Sequence, residues 1–128
     1  MDNTGEELLF FFREHPGALP LYKAFEERLM ALFPGTSIRV QKTQISFSLR
    51  HVYACVSFLK VRKKAEMPEN YIVVTLGLPY PLESSRAAAK VQPYPGRWTN
   101  HILLGSVEEI DGELLGWVEE ACVFALKK

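Results

Sequence analysis

The stretch IRVQKTQISFSL, residues 38–49, decides the fold, because apolar and polar side chains alternate along it with the period of a β-strand. In residues 38–41 the apolar side chains occupy even positions, and in residues 44–49 they occupy odd positions. Side chains of a continuous strand alternate strictly between the two faces of a sheet, so this change of parity requires an interruption. We therefore predict a bulge or a tight turn at Lys42-Thr43.

Three more strands are indicated further along the chain. Residues 52–61 and 71–78 are rich in β-branched and aromatic side chains, and the polar residues 62–70 between them are typical of a hairpin loop. Residues 101–104 form the last apolar run before the C-terminal helix. We expect an antiparallel sheet of four to five strands.

A segment of about twenty residues, 79–100, separates the last two predicted strands and is bracketed by prolines. Loops of this length inside a domain are usually functional or contain structure of their own. We predict that the segment covers one face of the sheet, with one or two helical turns in the alanine-rich residues 85–90.

Two helices are predicted before the sheet. Thr4 and Glu7 have the spacing of a capping box, and the helix that they begin ends near Pro16. The second helix begins near Pro20, shows apolar residues at helical spacing, and stops at Pro34.

A third helix closes the chain. Ser106 with Glu109 is one possible cap and Asp111 is another, and apolar residues recur at helical spacing over residues 114–125. The order of elements predicts a single α+β domain over residues 1–128, with the N-terminal and C-terminal helices mainly on one face of the sheet.

Composition limits the function classes. Fifteen basic and fifteen acidic residues balance, and a pI near 6.8 argues against a protein that neutralises nucleic acid in bulk. The apolar run at residues 8–12 is far too short to span a membrane, and the acidic start lacks the basic region of a signal peptide. Cys55 and Cys122 lie in apolar segments, as free thiols of a reducing compartment do. We expect a cytoplasmic protein.

The balanced net charge conceals a segregated pattern. Every ionised side chain in residues 28–64 is basic, and residues 84–107 carry basic but no acidic side chains. The acids lie mainly in the predicted terminal helices. A basic sheet between acidic helices attracts an anion locally while the whole protein stays neutral.

No catalytic or metal-binding pattern is visible, so an enzyme is the least favoured class of function, and we expect no cofactor or metal ion. The three histidines and two cysteines lack the spacings of metal ligands. His51 and Cys55 share a strand face, but four residues of strand separate them by about 13 Å. His101 is a second possible partner for Cys55, from a neighbouring strand.

The sheet face away from the helices is the candidate site. Its predicted side chains are polar or small, and the end of the long segment brings a guanidinium, an indole and an imidazole close together in sequence. We predict a non-catalytic binding module for a small anionic or polar ligand, with aromatic walls beside its cationic contacts. The predicted ligand-binding residues are Arg39, Lys42, Tyr53, Arg97, Trp98 and His101.

Three alternatives remain open. In the first alternative, the face is solvated and binds nothing, and Trp98 fills the core. The all-round apolar first helix pairs two copies of the chain into a homodimer through Phe10, Phe11 or Phe12. Less favoured is contact with single-stranded nucleic acid, because Phe47 and Phe58 fall on the parity of the core.

Four short blocks carry a family resemblance. They are KTQISF at residues 42–47, YACV at 53–56, RWTNH at 97–101 and EIDGEL at 109–114. In this order and spacing they resemble a bacterial family catalogued as domain of unknown function 5655, from about residue 21 to the C-terminus. The resemblance implies an α+β domain and offers no activity and no catalytic residue.

Overall fold

Residues 4–127, which the computed structural model describes, form three α-helices and six β-strands in an α+β fold. The predicted fold class is confirmed, and the sheet has one strand more than the upper number predicted. None of the described helices is long and apolar enough to cross a membrane. The elements are α1 Thr4–Phe11, α2 Leu19–Leu32, β1 Ser37–Val40, β2 Gln44–Ser48, β3 Val52–Ser57, β4 Ile72–Leu78, β5 Ala87–Tyr94, β6 Arg97–Leu104 and α3 Gly112–Leu126.

The six strands form one sheet in the order β1-β2-β3-β4-β6-β5, and every neighbouring pair is antiparallel. The first four strands follow one another as a meander. The β5–β6 hairpin then adds to β4 through its second strand, so β5 lies at the sheet edge. The interior position of β6 determines which of its side chains share a face with β4.

The predicted interruption at Lys42-Thr43 is confirmed. β1 and β2 form a tight hairpin in which Val40 pairs with Ile45, and the Gln41 N–H donates to the Gln44 carbonyl at 2.8 Å. Because the chain reverses here, residues of opposite parity on the two strands come to the same face.

The two faces of the sheet have different surroundings. Val56, Val74 and Ile102 belong to the buried core with side chains of α2 and α3, and the Phe25 ring of α2 meets Phe47 of β2 edge-on. We call this the helix face and the opposite one the open face. α2 and α3 thus lie on one face, in agreement with the prediction that the helices are mainly there.

One end of the open face has a cover. Val73 lies on this face, opposite Leu103, yet it is wholly buried and stands apart from the helix-side core. Residues 58–71 connect β3 to β4, and from this connection Arg62 Nη2 reaches the Ser85 carbonyl, at the start of the β5–β6 hairpin, at 3.3 Å. We infer that this connection forms a wall over that end.

The prediction of a long covering loop at residues 79–100 is wrong. Residues 87–94 form the edge strand β5 instead of helical turns, and Gly96, at a φ of +85°, makes the turn into β6. Alanine is the best helix former, but tertiary context readily overrides helix propensity, and here the hydrogen bonds to β6 do so. The buried Asn100 side chain holds the short remainder by accepting from the Leu82 N–H at 2.9 Å.

The position predicted for Tyr53 is also wrong. Phe47 pairs with Ala54 while the next residue, Ser48, pairs with Val52, so Tyr53 is the extra residue of a β-bulge. The bulge turns this ring to the helix face, where it is buried against Phe33, beyond the end of α2.

Replacing Tyr53 by phenylalanine tests this placement. The Tyr53 hydroxyl lies 2.7 Å from Thr36 Oγ1, and both side chains are buried. We expect Tyr53→Phe to lower the free energy of unfolding by about 1–2 kcal/mol, because it leaves the Thr36 hydroxyl without this partner. Urea denaturation measures the change. Tyr94→Phe, at an exposed tyrosine of β5, is the control and should leave stability unchanged.

Candidate functional site

A row of paired residues crosses the open face. Arg39 of β1 pairs with Ser46, Ser46 with Cys55, Cys55 with Thr75, and Thr75 with His101 of β6. Directly paired residues of antiparallel strands project from the same face, so these side chains form one line across five strands. The row supplies hydroxyl, thiol and imidazole groups within one surface.

Thr75 and His101 form the best-defined contact of this row. Thr75 Oγ1 lies 2.8 Å from His101 Nδ1. Burial lowers the pKa of the His101 imidazole below its usual value near 6.5 and so favours the neutral ring at neutral pH. Because the hydrogen bond uses Nδ1, Nε2 is the ring nitrogen left to meet a ligand.

Arg97 lies flat over a glycine of the neighbouring strand. A Cβ atom added at Gly77 would stand 2.6 Å from Arg97 Nη2 and 2.8 Å from Cζ, so any other residue at position 77 would displace the guanidinium. Within residues 4–127 the ion pairs of the structure involve Arg86, and no carboxylate pairs with Arg97. The guanidinium therefore rests on the open face with its charge available.

Cys55 does not form a catalytic pair with His101. β4 lies between β3 and β6, so Thr75 separates the thiol from the imidazole. Burial raises the pKa of the Cys55 thiol, although Ser46, 3.9 Å away, and the Arg97 charge act in the opposite direction. A thiol of raised pKa is a poor nucleophile at neutral pH. The two-strand separation corrects the sequence-based suggestion of an approach between these two side chains.

A groove of about 650 Å³ meets this face. It extends from Thr75, Thr99 and His101, past the β1–β2 turn at Lys42, to the segment that follows α1. In that segment Arg13 and Glu14 line the groove with opposite charges, and the His15 ring stacks on Phe58 with ring centroids 4.0 Å apart. The groove thus has a polar end on the sheet and an aromatic end beside α1.

The structure brings together some of the predicted ligand-binding residues. Lys42 and His101 line the same groove, and Arg97 lies beside its polar end without lining it. Arg39 shares the open face but lies on β1, at the far end of the row. Tyr53 is in the core and does not join them.

Trp98 is separated from Arg97 and His101 by the sheet itself. It pairs with Leu78, whose side chain belongs to the helix-side core, so the half-buried indole lies on the helix face. Side chains of residues 97 and 101 project to one face and that of residue 98 to the other. The sequence-based prediction grouped Trp98 with Arg97 and His101 because it treated residues 97–100 as part of a loop, in which side chains do not alternate between two faces.

Sequence reasoning missed two groups of the site. Gly77 had a usable signal, since a glycine inside an apolar strand pattern often marks a close approach of another group. His15 had none, because its stacking on Phe58 joins residues 43 positions apart, counted from their numbers.

The strands give the site its electrostatic character. None of the residues in β1 to β6 is an aspartate or a glutamate, whereas Arg39, Lys90 and Arg97 are basic. Lys90 pairs with the buried Asn100 and therefore projects from the helix face, whereas Arg97 projects from the open face. Among residues 4–127, no three His, Cys, Asp or Glu side chains are grouped as a metal site requires. The open face therefore suits an anion better than a cation.

The lowered pKa of His101 predicts a pH dependence of stability. As the pH falls below about 6.5, the unfolded chain binds a proton at this imidazole before the folded chain does. The free energy of unfolding should therefore fall with pH until the folded imidazole is also protonated. His101→Gln should lose this component in urea denaturation at stepwise pH, and His51→Gln should retain it. An unchanged slope in His101→Gln would contradict the burial of the ring.

Comparison with known proteins gives one match. No curated protein and no solved structure matched the chain. A family model described as Domain of unknown function (DUF5655) matches residues 11–125, which include α2, the entire sheet with its row of polar side chains, and all but the last residue of α3. Because the match covers most of the 128 residues, the chain belongs to the family of domain of unknown function 5655.

Proposed function

We propose that the protein is a binding module that holds a small anionic or polar ligand on the open face without chemical turnover. Arg97 is the principal contact, and His101 and Lys42 add to it. The observation that carries the proposal is the Arg97 guanidinium, which lies over Gly77 without a carboxylate partner within residues 4–127.

A second arginine of the same hairpin supports this interpretation by contrast. Arg86 donates hydrogen bonds to Asp111 at 2.9 Å and to Glu113 at 3.0 Å, and it lies over the Trp117 ring. It thereby ties the start of the β5–β6 hairpin to α3. Arg97 has none of these connections, and structural arginines are usually paired in such a way.

The neighbours of Arg97 also suit an oxyanion. The Thr99 hydroxyl lies on the same face and can donate a hydrogen bond to an anion. When the Thr75 hydroxyl donates to Nδ1 of the neutral His101 ring, the Nε2–H group is a further donor for the ligand. The planar guanidinium can donate two parallel N–H groups to one oxyanion. The rings that the nucleic-acid alternative names are engaged within the protein, since Phe47 is in the core and Phe58, which borders the groove, packs against the core and stacks on His15.

Titration with sulfate and phosphate tests the proposal. We expect both anions to raise the melting temperature of the protein and to give measurable heats in calorimetry. Arg97→Ala should abolish the response because it removes the bidentate donor. Gly77→Ala should weaken binding about tenfold although every charge remains, because the added methyl displaces the guanidinium and one charge-assisted hydrogen bond is worth about 1.5–3 kcal/mol.

Lys90→Ala is the matched control for the titration. It removes one positive charge from the same hairpin but on the helix face of the sheet, so binding should be retained. If Lys90→Ala weakens binding as much as Arg97→Ala does, the effect is one of net charge and the assigned site is wrong. If wild-type protein responds to neither anion, the proposal fails.

The cell compartment is part of the same proposal. Cys55 and Cys122 are free thiols. Free buried thiols are typical of a reducing environment, which supports a cytoplasmic protein.

Self-association through α1 is a second candidate function, and one observation favours it. Leu9 and Phe10 are each 64% exposed, whereas Phe11 and Phe12 are buried and pack on Phe58 within the same chain. The proposed dimer contact therefore consists of Leu9 and Phe10, and Phe11 and Phe12, which the sequence also suggests, are left out of it. Large adjacent apolar side chains on a helix surface are common at contacts between protein copies.

Light scattering after size exclusion tests this second candidate. We expect a dimer mass at high protein concentration and a monomer mass for Phe10→Ser. Val123→Ser, at an exposed apolar residue of α3, is the control and should remain dimeric. A monomeric wild-type protein at every concentration would refute self-association through α1.

A further inference from the structure

The aromatic end of the groove is a stack of rings. Phe58 has two near-parallel neighbours, Phe11 at 5.4 Å and 27° and His15 at 4.0 Å and 20°. Tyr71 meets both Phe58 and His15 edge-on and so fixes their orientation. Phe11 is buried, whereas His15 is only partly covered and lines the groove. A planar group in the groove can therefore continue the stack on the imidazole.

The opposite end of the same groove offers hydrogen-bonding groups. Thr75, Thr99 and His101 line it, and Arg97 lies next to it over Gly77. Lys42, in the β1–β2 turn between the two ends, also lines the groove, and beyond it Arg13 and Glu14 contribute opposite charges beside His15. The two ends differ in chemistry, one flat and aromatic and the other polar and cationic.

The size of the groove limits the ligand. A volume of about 650 Å³ is within the range of pockets that bind small organic molecules and is far larger than sulfate or phosphate needs. An inorganic anion at Arg97 would leave the His15 end empty. A ligand that used the whole groove would carry both a charged group and a ring.

We propose that the ligand is an anion that carries a planar ring and has about the size of a nucleoside monophosphate. Its charged group binds Arg97 and His101, and its ring stacks on His15. This inference rests on the proposed anion binding and adds the chemical class of the ligand. Stacking of a base on an aromatic side chain strengthens binding about fivefold or more.

The three histidines allow both ends to be observed separately by proton NMR. His101 reports on the charged end and His15 on the ring end. His51 lies in the turn between β2 and β3, away from the groove, and is an internal control. Single His→Gln variants assign the three sets of imidazole resonances, and the titrations then use the wild-type protein.

Adenosine monophosphate, ribose phosphate, adenosine and inorganic phosphate are the probes. We expect adenosine monophosphate to shift the resonances of His15 and His101, and ribose phosphate and inorganic phosphate to shift those of His101 alone. Adenosine monophosphate should bind about tenfold more tightly than ribose phosphate. His15→Gln should remove that advantage without changing the affinity for ribose phosphate, and His51→Gln should change neither affinity.

The possible outcomes separate the two proposals. If every anion shifts His101 and none shifts His15, the ring contact is wrong and the anion site stands. If adenosine binds as tightly as its monophosphate and shifts His15 alone, the groove binds rings without using the charged end, and this inference is wrong. If no probe shifts His15 or His101, both proposals fail. Because the NMR shifts come from wild-type protein, an unstable His15→Gln variant does not prevent the test.

Discussion

β6 pairs with β4 on one side and with β5 on the other, and this double pairing fixes the direction of every side chain along it. Arg97 and His101 project from the open face because their positions differ by an even number. The pairing also places His101 beside Thr75 and brings Arg97 over Gly77. Each proposed contact with a ligand at the polar end therefore depends on the register of the β4–β6 pair. A shift by one residue would place the even-numbered side chains of β6, among them Trp98 and Asn100, on the open face in place of Arg97 and His101.

The features of the fold that were predictable from sequence are those encoded by neighbouring residues. The β1–β2 turn follows from the change of apolar parity, and Asp111 caps α3 by accepting from the Leu114 N–H at 3.0 Å. The edge strand β5 was not predictable, because its alanines and Pro93 have weak strand preferences and its stability comes from pairing with β6. The bulge at Tyr53 depends on how β2 and β3 align, and no local pattern encodes that alignment.

The candidate site could be predicted in part for the same reason. The concentration of basic residues in the strands is visible in the sequence and correctly directed attention to Arg97 and His101 as residues of the open face. Their grouping with Trp98 failed, because the alternation of side chains applies only once residues 97–104 are known to be a strand. Contacts across the groove, such as His15 on Phe58, require the tertiary fold.

The segregated charges along the chain give two arginines of one hairpin different roles. Arg86 is neutralised by Asp111 and Glu113 of the α3 region, and the acidic start of α3 thereby holds the hairpin. Arg97, at the other end of the hairpin, projects from a sheet whose strands contain no acid. The carboxylates of α3 are separated from it by the sheet. A neutral protein can in this way maintain a local positive surface.

The edge position of β5 also bears on solubility. An eight-residue strand at a sheet edge can template another extended chain, which is a common start of aggregation. Pro93 lacks an N–H group and Lys90 carries a charge, and both features discourage such addition. At the opposite edge, β1 has only four residues and offers little length for pairing. Both edges of the sheet therefore resist pairing with strands of other molecules. A substitution of Pro93 would weaken that resistance without changing the core.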